Sequence, residues 1–536
     1  MRRPALAALA VTALMVLGVT GCASGSGGGA TAEHAGSELR LAIGGEPEDG
    51  FDPTLGWGRY GSPLFQSTLL KLDAGMNIVS DLATDYEVSE DGLTWTLHLR
   101  DDAHFSDGTP VTADDVAYTF LTAKESPGLT SVAGLADAQA VDDQTVVMTL
   151  EKPQSTFVYR LTSLGIVPKT AHEADGYAQH PIGSGPFTLV QWDQGQQLIV
   201  ERNENYYGTK PEFERIVFVF TDEDGTLASA RAGELDMAGV SSSLVTGDIA
   251  GMKLVDVPSI DNRGVSLPTV PDEGKTTDAG APIGNDVTSD LAVRRALNIG
   301  ADRQSLVDGV LNGYGSPASG PVDGAPWHNP DSAIEDNRPD EARAMLEEAG
   351  WIDSDDDGIR EKGGITARFE LLYPAGDSVR EGIALAFADQ IRPLGIDIEV
   401  VSATWDEIYQ RQHADAVLFG WGAHDPTEMY NLYSAHLAGI ESWNPGFYDN
   451  PAVQAHLDAA MSSTDPEAAN EEWKAAQLDS AGNGFTAKGD AAWAWLVNVD
   501  HTYYVSECLD LGTPQTEPHG HGWPITAGIE SWKWTC

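Results

Sequence analysis

Residues 39 to 43 alternate apolar and polar side chains with the two-residue period of a half-buried strand, and the turn-rich stretch 44–53 ends it. Leu93, Trp95, Leu97 and Leu99 repeat that period, and Asp107-Gly108-Thr109-Pro110 then marks a turn. Thr112, with Asp115 three residues on, makes a capping-box-like start for a helix whose Val116, Phe120 and Leu121 share a face. Further strands are predicted at 145–151, 186–192, 197–202 and 215–220, so the first half of the chain is rich in strands. After about residue 285 the rhythm becomes helix alternating with strand. Asn337 precedes a helix carried by Ala342, Met345, Leu346 and Ala349 and closed by Gly350. There follow a strand at 367–373, a helix through Ile383, Phe387 and Ile391, a strand through Ile396, Ile398 and Val400, a short helix after Trp405, and an apolar strand 416–419. Alternation of this kind predicts an open, largely parallel α/β sheet covered by helices, which binds ligands beyond the carboxyl ends of its strands.

The two ends of the hydropathy pattern add a location. Arg2 and Arg3 precede an uncharged apolar run of about 15 residues, short of the ~20 that span a bilayer, which predicts a secretory signal removed on export. The run ends in Val19-Thr20-Gly21-Cys22, which resembles the lipobox of bacterial lipoproteins, with Cys22 the residue that would be lipidated. Ordinary signal cleavage beside a chance cysteine is the alternative. The Gly- and Ser-rich stretch 24–30 reads as a tether between lipid and folded domain. No later segment is long and apolar enough to cross a membrane, and about 500 residues remain for folded domains. A net charge of −51, from 31 basic and 82 acidic residues, would repel nucleic acid and anionic membranes, and it excludes a polyanion-binding role.

Four stretches carry a family resemblance. They are Ser89-Glu90-Asp91-Gly92-Leu93-Thr94-Trp95-Thr96-Leu97-His98-Leu99-Arg100 running into Phe105-Ser106-Asp107-Gly108-Thr109-Pro110; Pro181-Ile182-Gly183-Ser184-Gly185-Pro186-Phe187; Asn203 to Gly208; and Val293-Arg294-Arg295-Ala296-Leu297-Asn298 with Asp302-Arg303. Together they resemble the family 5 extracellular solute-binding proteins, which include the oligopeptide-, dipeptide- and nickel-binding components of ABC importers. The resemblance implies a type II periplasmic-binding-protein fold of two α/β lobes joined by hinge strands, with an extra domain inserted in the first lobe. The implied division is a signal at 1–21, a tether at 22–37, lobe I at 38–60, 182–262 and 493–536, the insertion at 61–181 and lobe II at 263–492. It also implies a monomer that needs no cofactor, held to the outer face of the membrane by its lipid, which closes on a short peptide or similar solute and passes it to an ABC permease and ATPase. A nickel or metal-chelate ligand is the alternative. A secreted hydrolase is the rival class, but the chain has no Gly-x-Ser-x-Gly elbow, His-Glu-x-x-His or phosphate-loop motif. Gly183-Ser184-Gly185-Pro186 lacks the basic residue a phosphate loop needs and reads as a turn.

Candidate ligand contacts follow from position. The segment Trp421 to Tyr430 leaves the strand 416–419 at its carboxyl end, which nominates Trp421 as a stacking wall and His424 and Asp425 as polar contacts, with Trp57, Arg59 and Tyr60 across the cleft. Relatives that bind peptides carry in this loop an aspartate that pairs with the peptide amine. Here the loop is shorter and Asp425 stands next to Pro426, which is similar to the nickel-binding branch. Two further sets are metal candidates. His519 and His521 are placed to share one side of an extended segment, or else belong to a Gly/Pro turn. Asp353, Asp355 and Asp357 occupy the first positions of a calcium loop whose closing glutamate is missing, so Glu361 would have to complete it; an acidic turn is the other reading. With Cys22 lipidated, Cys508 and Cys536 remain, and in an oxidising compartment they are expected to pair, worth about 3 kcal/mol, or else stay as two thiols.

Overall fold

The computed structural model describes residues 38–536 apart from 62–63, 127–131, 175 and 521–522. The signal, Cys22, the tether and His521 lie outside the described residues. The periodicities of the sequence become three main sheets. The first has seven strands in the order Met252–Val257, His501–Ser506, Met237–Val240, Glu38–Ala42, Arg215–Val219, Gln197–Arg202, Phe187–Asp193. The second has six, in the order Gly315–Pro317, Trp493–Val499, Asn262–Ser266, Ala416–Trp421, Arg368–Pro374, Asp397–Ala403. A four-stranded antiparallel sheet is formed within 83–150, in the stretch of chain between Glu38–Ala42 and Phe187–Asp193, and it packs on helix Ala113–Glu125. That helix starts where the capping pattern predicts, with the Thr112 amide donating to Asp115 at 3.0 Å.

The second sheet is parallel only in part. Arg368–Pro374 runs parallel to Asp397–Ala403 and to Ala416–Trp421, the three strands read from the helix-strand alternation. Asn262–Ser266 runs antiparallel to Ala416–Trp421 and to Trp493–Val499, because it enters from the other lobe rather than from a crossover helix. Its residues and all seven of Trp493–Val499 are buried, which removes the alternation that a half-exposed strand would show. Gly264 lies against the indole of Trp495, where a Cβ would come within 2.4 Å of the ring.

Trp493–Val499 belongs wholly to the second sheet, so the chain returns to the first at Asp500, not at Trp493. The outgoing crossing covers 258–261. The two crossings are tied together: the Val499 amide donates to the Asp261 carbonyl at 2.7 Å, and the Ser259 hydroxyl to the Val499 carbonyl at 2.6 Å. The C-terminal segment joins them, through Ile260 and Glu517 amides that donate to Glu517 and Pro258 carbonyls at 2.9 and 3.0 Å. Farther out, the Ser155 amide and hydroxyl of the insertion each donate across to the second lobe, to the carbonyls of Met461 and Ala460 at 2.8 Å. The lobes are therefore closed on each other at both ends of the cleft.

Candidate functional site

The strand Ala416–Trp421 is buried over its first four residues and half-buried at Gly420 and Trp421, where it emerges at the carboxyl edge of the second sheet. The turn that follows is fixed by Gly422, whose φ is 143° and where a Cβ would come within 2.3 Å of the Ile260 carbonyl oxygen, so no side chain fits. The amides of Gly422 and Ala423 both donate to one carboxyl oxygen of Glu428, at 2.9 and 2.8 Å, and the Gly422 carbonyl accepts from the His519 amide at 2.8 Å. The loop is thus held from its own helix and from the opposite lobe.

Trp421 is half-buried against Trp443, ring centres 5.3 Å apart, and against Phe419 at 6.1 Å. Trp405 continues the file, stacked on Phe419 at 6.2 Å and on Tyr409, its i+4 neighbour in the helix Trp405–Arg411, at 5.7 Å. Trp405 and Tyr409 are 40% and 51% exposed, large apolar faces left open on the wall of a cleft. The sequence reading used Trp405 only to mark a helix; an aromatic pair at i, i+4 on a seven-residue helix was the available signal for the rest of this wall.

On the first-lobe side, Arg59 lies over the ring of Tyr60 at 4.7 Å, and Tyr60 meets His519 edge-on at 6.1 Å. Burial pushes the Tyr60 phenol upward, with Glu428 of the far wall and Asp261 of the crossing adding to it and Arg59 and Arg160 opposing. Trp57 does not reach the cleft. It is packed edge-on between Phe51 and Trp523, at 4.9 and 5.2 Å, in the core of the first lobe, where its large ring meets other aromatic rings.

Asp425 has both oxygens engaged. One accepts from the amide and hydroxyl of Thr427, at 2.8 and 2.7 Å, opening the helix Thr427–Tyr433; the other is paired with Arg160 of the insertion. Asp425 is thus ion-paired across the cleft with Arg160, which lies in the helix Phe157–Ser163 and carries no sequence signal of its own. His424 is bonded to the backbone of Thr516, and burial brings its imidazole down to about 4, so it is neutral, with Nε2 enclosed and without a partner. A cavity of about 420 Å³ between the lobes is lined by Ile260 and Thr516 on one side and Asp323, His328 and Asn498 on the other. A wider groove of about 860 Å³ lies away from the crossings, beside Asp52, Tyr118 and His172.

Beneath the cleft is a buried network of charge. Asp261 pairs with Arg263, accepts from His519 Nδ1 at 2.5 Å and meets His501 Nε2 at 3.2 Å, while His501 Nδ1 meets Glu517 at 2.5 Å. Burial alone would raise the Asp261 carboxyl, but Arg263 and His519 hold it well below the usual range. Burial would likewise lower His501, and the Asp261 and Glu517 carboxylates outweigh it and push the imidazole up to about 10. His519 serves the hinge through Asp261; His521, its proposed metal partner, lies outside the described residues.

The acidic turn is a separate feature. Asp353, Asp355 and Asp357 bring oxygens within 4.8 Å of one another, and each also accepts a backbone amide of the turn, from Gly358, Asp357 and Ile359. Glu361 does not join them; its carboxylate takes the Ser354 amide and hydroxyl at 3.0 and 2.8 Å, the nearer donors once the chain turns back into the hairpin at 361–366. Cys508 and Cys536 are joined by a disulfide.

Two α/β lobes closing at a doubly crossed hinge, over an aromatic wall at the carboxyl ends of the strands, define a type II periplasmic-binding-protein fold. The chain belongs to the bacterial extracellular solute-binding proteins, family 5, whose model matches residues 77–443. It is the substrate-binding component of an ABC importer, and its family and neighbours are binding proteins that act outside the cytoplasm. It is 34% identical to Protein XP55 of Streptomyces lividans over 96% of this chain and 93% of that one. It is 25% identical to the oligopeptide-binding protein AppA of Bacillus subtilis over 88% and 90%. Its fold matches the structure of NikZ from Campylobacter jejuni in complex with Ni(L-His), with a TM-score of 0.77 at 24% identity, covering 93% of this chain and 99% of that one.

Proposed function

We propose that this protein is anchored by lipid at Cys22 to the outer face of the membrane, and that as a monomer without catalytic activity it captures a short peptide or similar small solute between its lobes. The solute is then handed to the permease and ATPase of the importer. The observation that carries this reading is the aromatic file Tyr409, Trp405, Trp421 and Trp443 at the carboxyl edge of the second sheet, opposite Arg59 and Tyr60. Such a wall offers area to a peptide backbone without dictating its side chains. Aromatic rings alone do not choose a ligand, and one atom favours a second reading. The neutral His424, with Nε2 enclosed and unpartnered, is suited to a metal or metal chelate such as the nickel complex named for the NikZ structure.

Native mass spectrometry of the purified full-length protein, followed by identification of what dissociates from it, separates the two. A short peptide bound one to one supports the first reading; a metal with an organic chelator supports the second and sinks the first. Turnover of the bound solute would contradict both. Trp421→Ala is expected to weaken binding of that solute by at least tenfold, about 1.4 kcal/mol. Unchanged affinity in the folded variant would remove this loop from the site.

A further inference from the structure

The cleft differs in charge from the molecule around it. The chain has 82 acidic residues against 31 basic ones, yet the acidic side chains beside and beneath the Trp421 loop offer no open negative charge. Asp425 accepts from Thr427 with one oxygen, and its other is paired with Arg160 of the insertion. Asp261 is held by Arg263 and His519, and Asp377 by Arg380. Glu428 accepts the Gly422 and Ala423 amides, and burial pushes its carboxyl up to about 8, so it is uncharged at neutral pH.

Arg59 is the reverse case. It is half-buried on the first-lobe side of the cleft, with its guanidinium 4.7 Å over the ring of Tyr60. Among the described residues it is the one arginine whose side chain has neither a hydrogen bond nor an ion pair. Its charge reaches the facing helix: the Tyr409 phenol is raised by burial and by Asp406 and Glu441, and Arg59 opposes them. Asp406 and Glu441 are exposed on that rim, and neither forms an ion pair with Arg59. A guanidinium held over an aromatic face keeps a planar fork of donors whose geometry matches a carboxylate. In a chain with so large an excess of acid, an arginine left open at the solute's place marks what the solute brings.

We propose that Arg59 selects an acidic solute: its guanidinium receives a carboxylate or similar anionic group carried into the cleft, and a protonated amine on the solute adds nothing, because the carboxylates that could receive one are already paired. A net charge of −51 opposes the approach of an anion, so a local cation is what such a solute needs. The contact formed is a charge-assisted hydrogen bond from the guanidinium to the anion, stronger than one between neutral groups. This rests on the reading of the cleft as the ligand site and sharpens it by naming the charge the solute must carry.

The test uses the full-length protein freed of solute, as wild type, Arg59→Gln and Arg59→Lys. Three pools of di- to pentapeptides, all free of acidic and basic side chains, are compared: one free at both ends, one N-acetylated, and one amidated at the carboxyl terminus. The two pools with a free carboxylate should bind alike to within about threefold, and the amidated pool at least about tenfold more weakly. In Arg59→Gln the penalty for amidation should vanish, and Arg59→Lys should keep part of it. Both variants should melt close to the wild-type temperature, since no hydrogen bond of the folded protein is lost. An amidated pool that binds as tightly as the other two, a penalty that survives in Arg59→Gln, or a loss of about tenfold on acetylation overturns the assignment while leaving peptide capture intact. If no pool binds, peptide capture fails, and the solute found by native mass spectrometry decides the matter. A solute without an anionic group overturns the role of Arg59. One with carboxylates, a metal chelate included, upholds it if Arg59→Gln loses that solute and overturns it if the variant retains it.

Discussion

His501 shows how one side chain can fix the alkaline limit of a fold. Its imidazole lies between Asp261 and Glu517 at the hinge and is held in the charged form up to about pH 10, against an ordinary value of 6.5. A group whose value is raised by folding stabilises fully below its unfolded value and loses that contribution as pH climbs through the folded one, here between about 6.5 and 10. Glu428, raised from 4.5 to about 8, gives a slope of the same sign at lower pH. The two separate above pH 8, where only His501 still titrates. Denaturant unfolding between about pH 8 and pH 10 should show wild-type stability falling by an amount on the order of a few kcal/mol, with His501→Gln less stable at pH 8 and nearly flat beyond it. A wild-type profile as flat as that of the variant would place the charge elsewhere.

The C-terminal segment is the element on which this hinge depends. Trp523, Ile525, Ile529 and Trp532 anchor it in the core of the first lobe, Glu517 and His519 serve the crossing, and the short pair Leu509–Asp510 with Lys533–Trp534 ties it down beside the disulfide. A disulfide closing a separation of 28 residues restricts the unfolded chain by about 3 kcal/mol. Cys508→Ser with Cys536→Ser should lower the unfolding free energy by about that amount, and an identical denaturant midpoint would show that packing alone holds the tail. Elements of this kind were only partly legible in the sequence. Strands with one exposed face, such as Thr94–Leu99, and capped helices announced themselves through period and cap. Asn262–Ser266 and Trp493–Val499 did not, because full burial on both faces removes the alternation. Trp421 and the loop to Glu428 are legible from their place after an apolar strand, whereas Arg160 becomes part of the site only through its contact with the distant Asp425.

At the scale of the whole molecule the lobes meet through polar contacts as well as packing. Arg160 with Asp425, the Ser155 donors to Ala460 and Met461, and Tyr159 edge-on to Trp327 at 5.8 Å all join the insertion to the second lobe. Closure of such lobes is an equilibrium that a ligand biases by its differential contacts. The solute's place is then the central claim, and a crystal structure of the protein purified with its natural solute retained tests it most directly. The account predicts the solute between the Trp421 and Trp405 wall and the Arg59 and Tyr60 side. A solute seated instead in the open groove beside Asp52, Tyr118 and His172, with the cleft between the lobes empty, would contradict it.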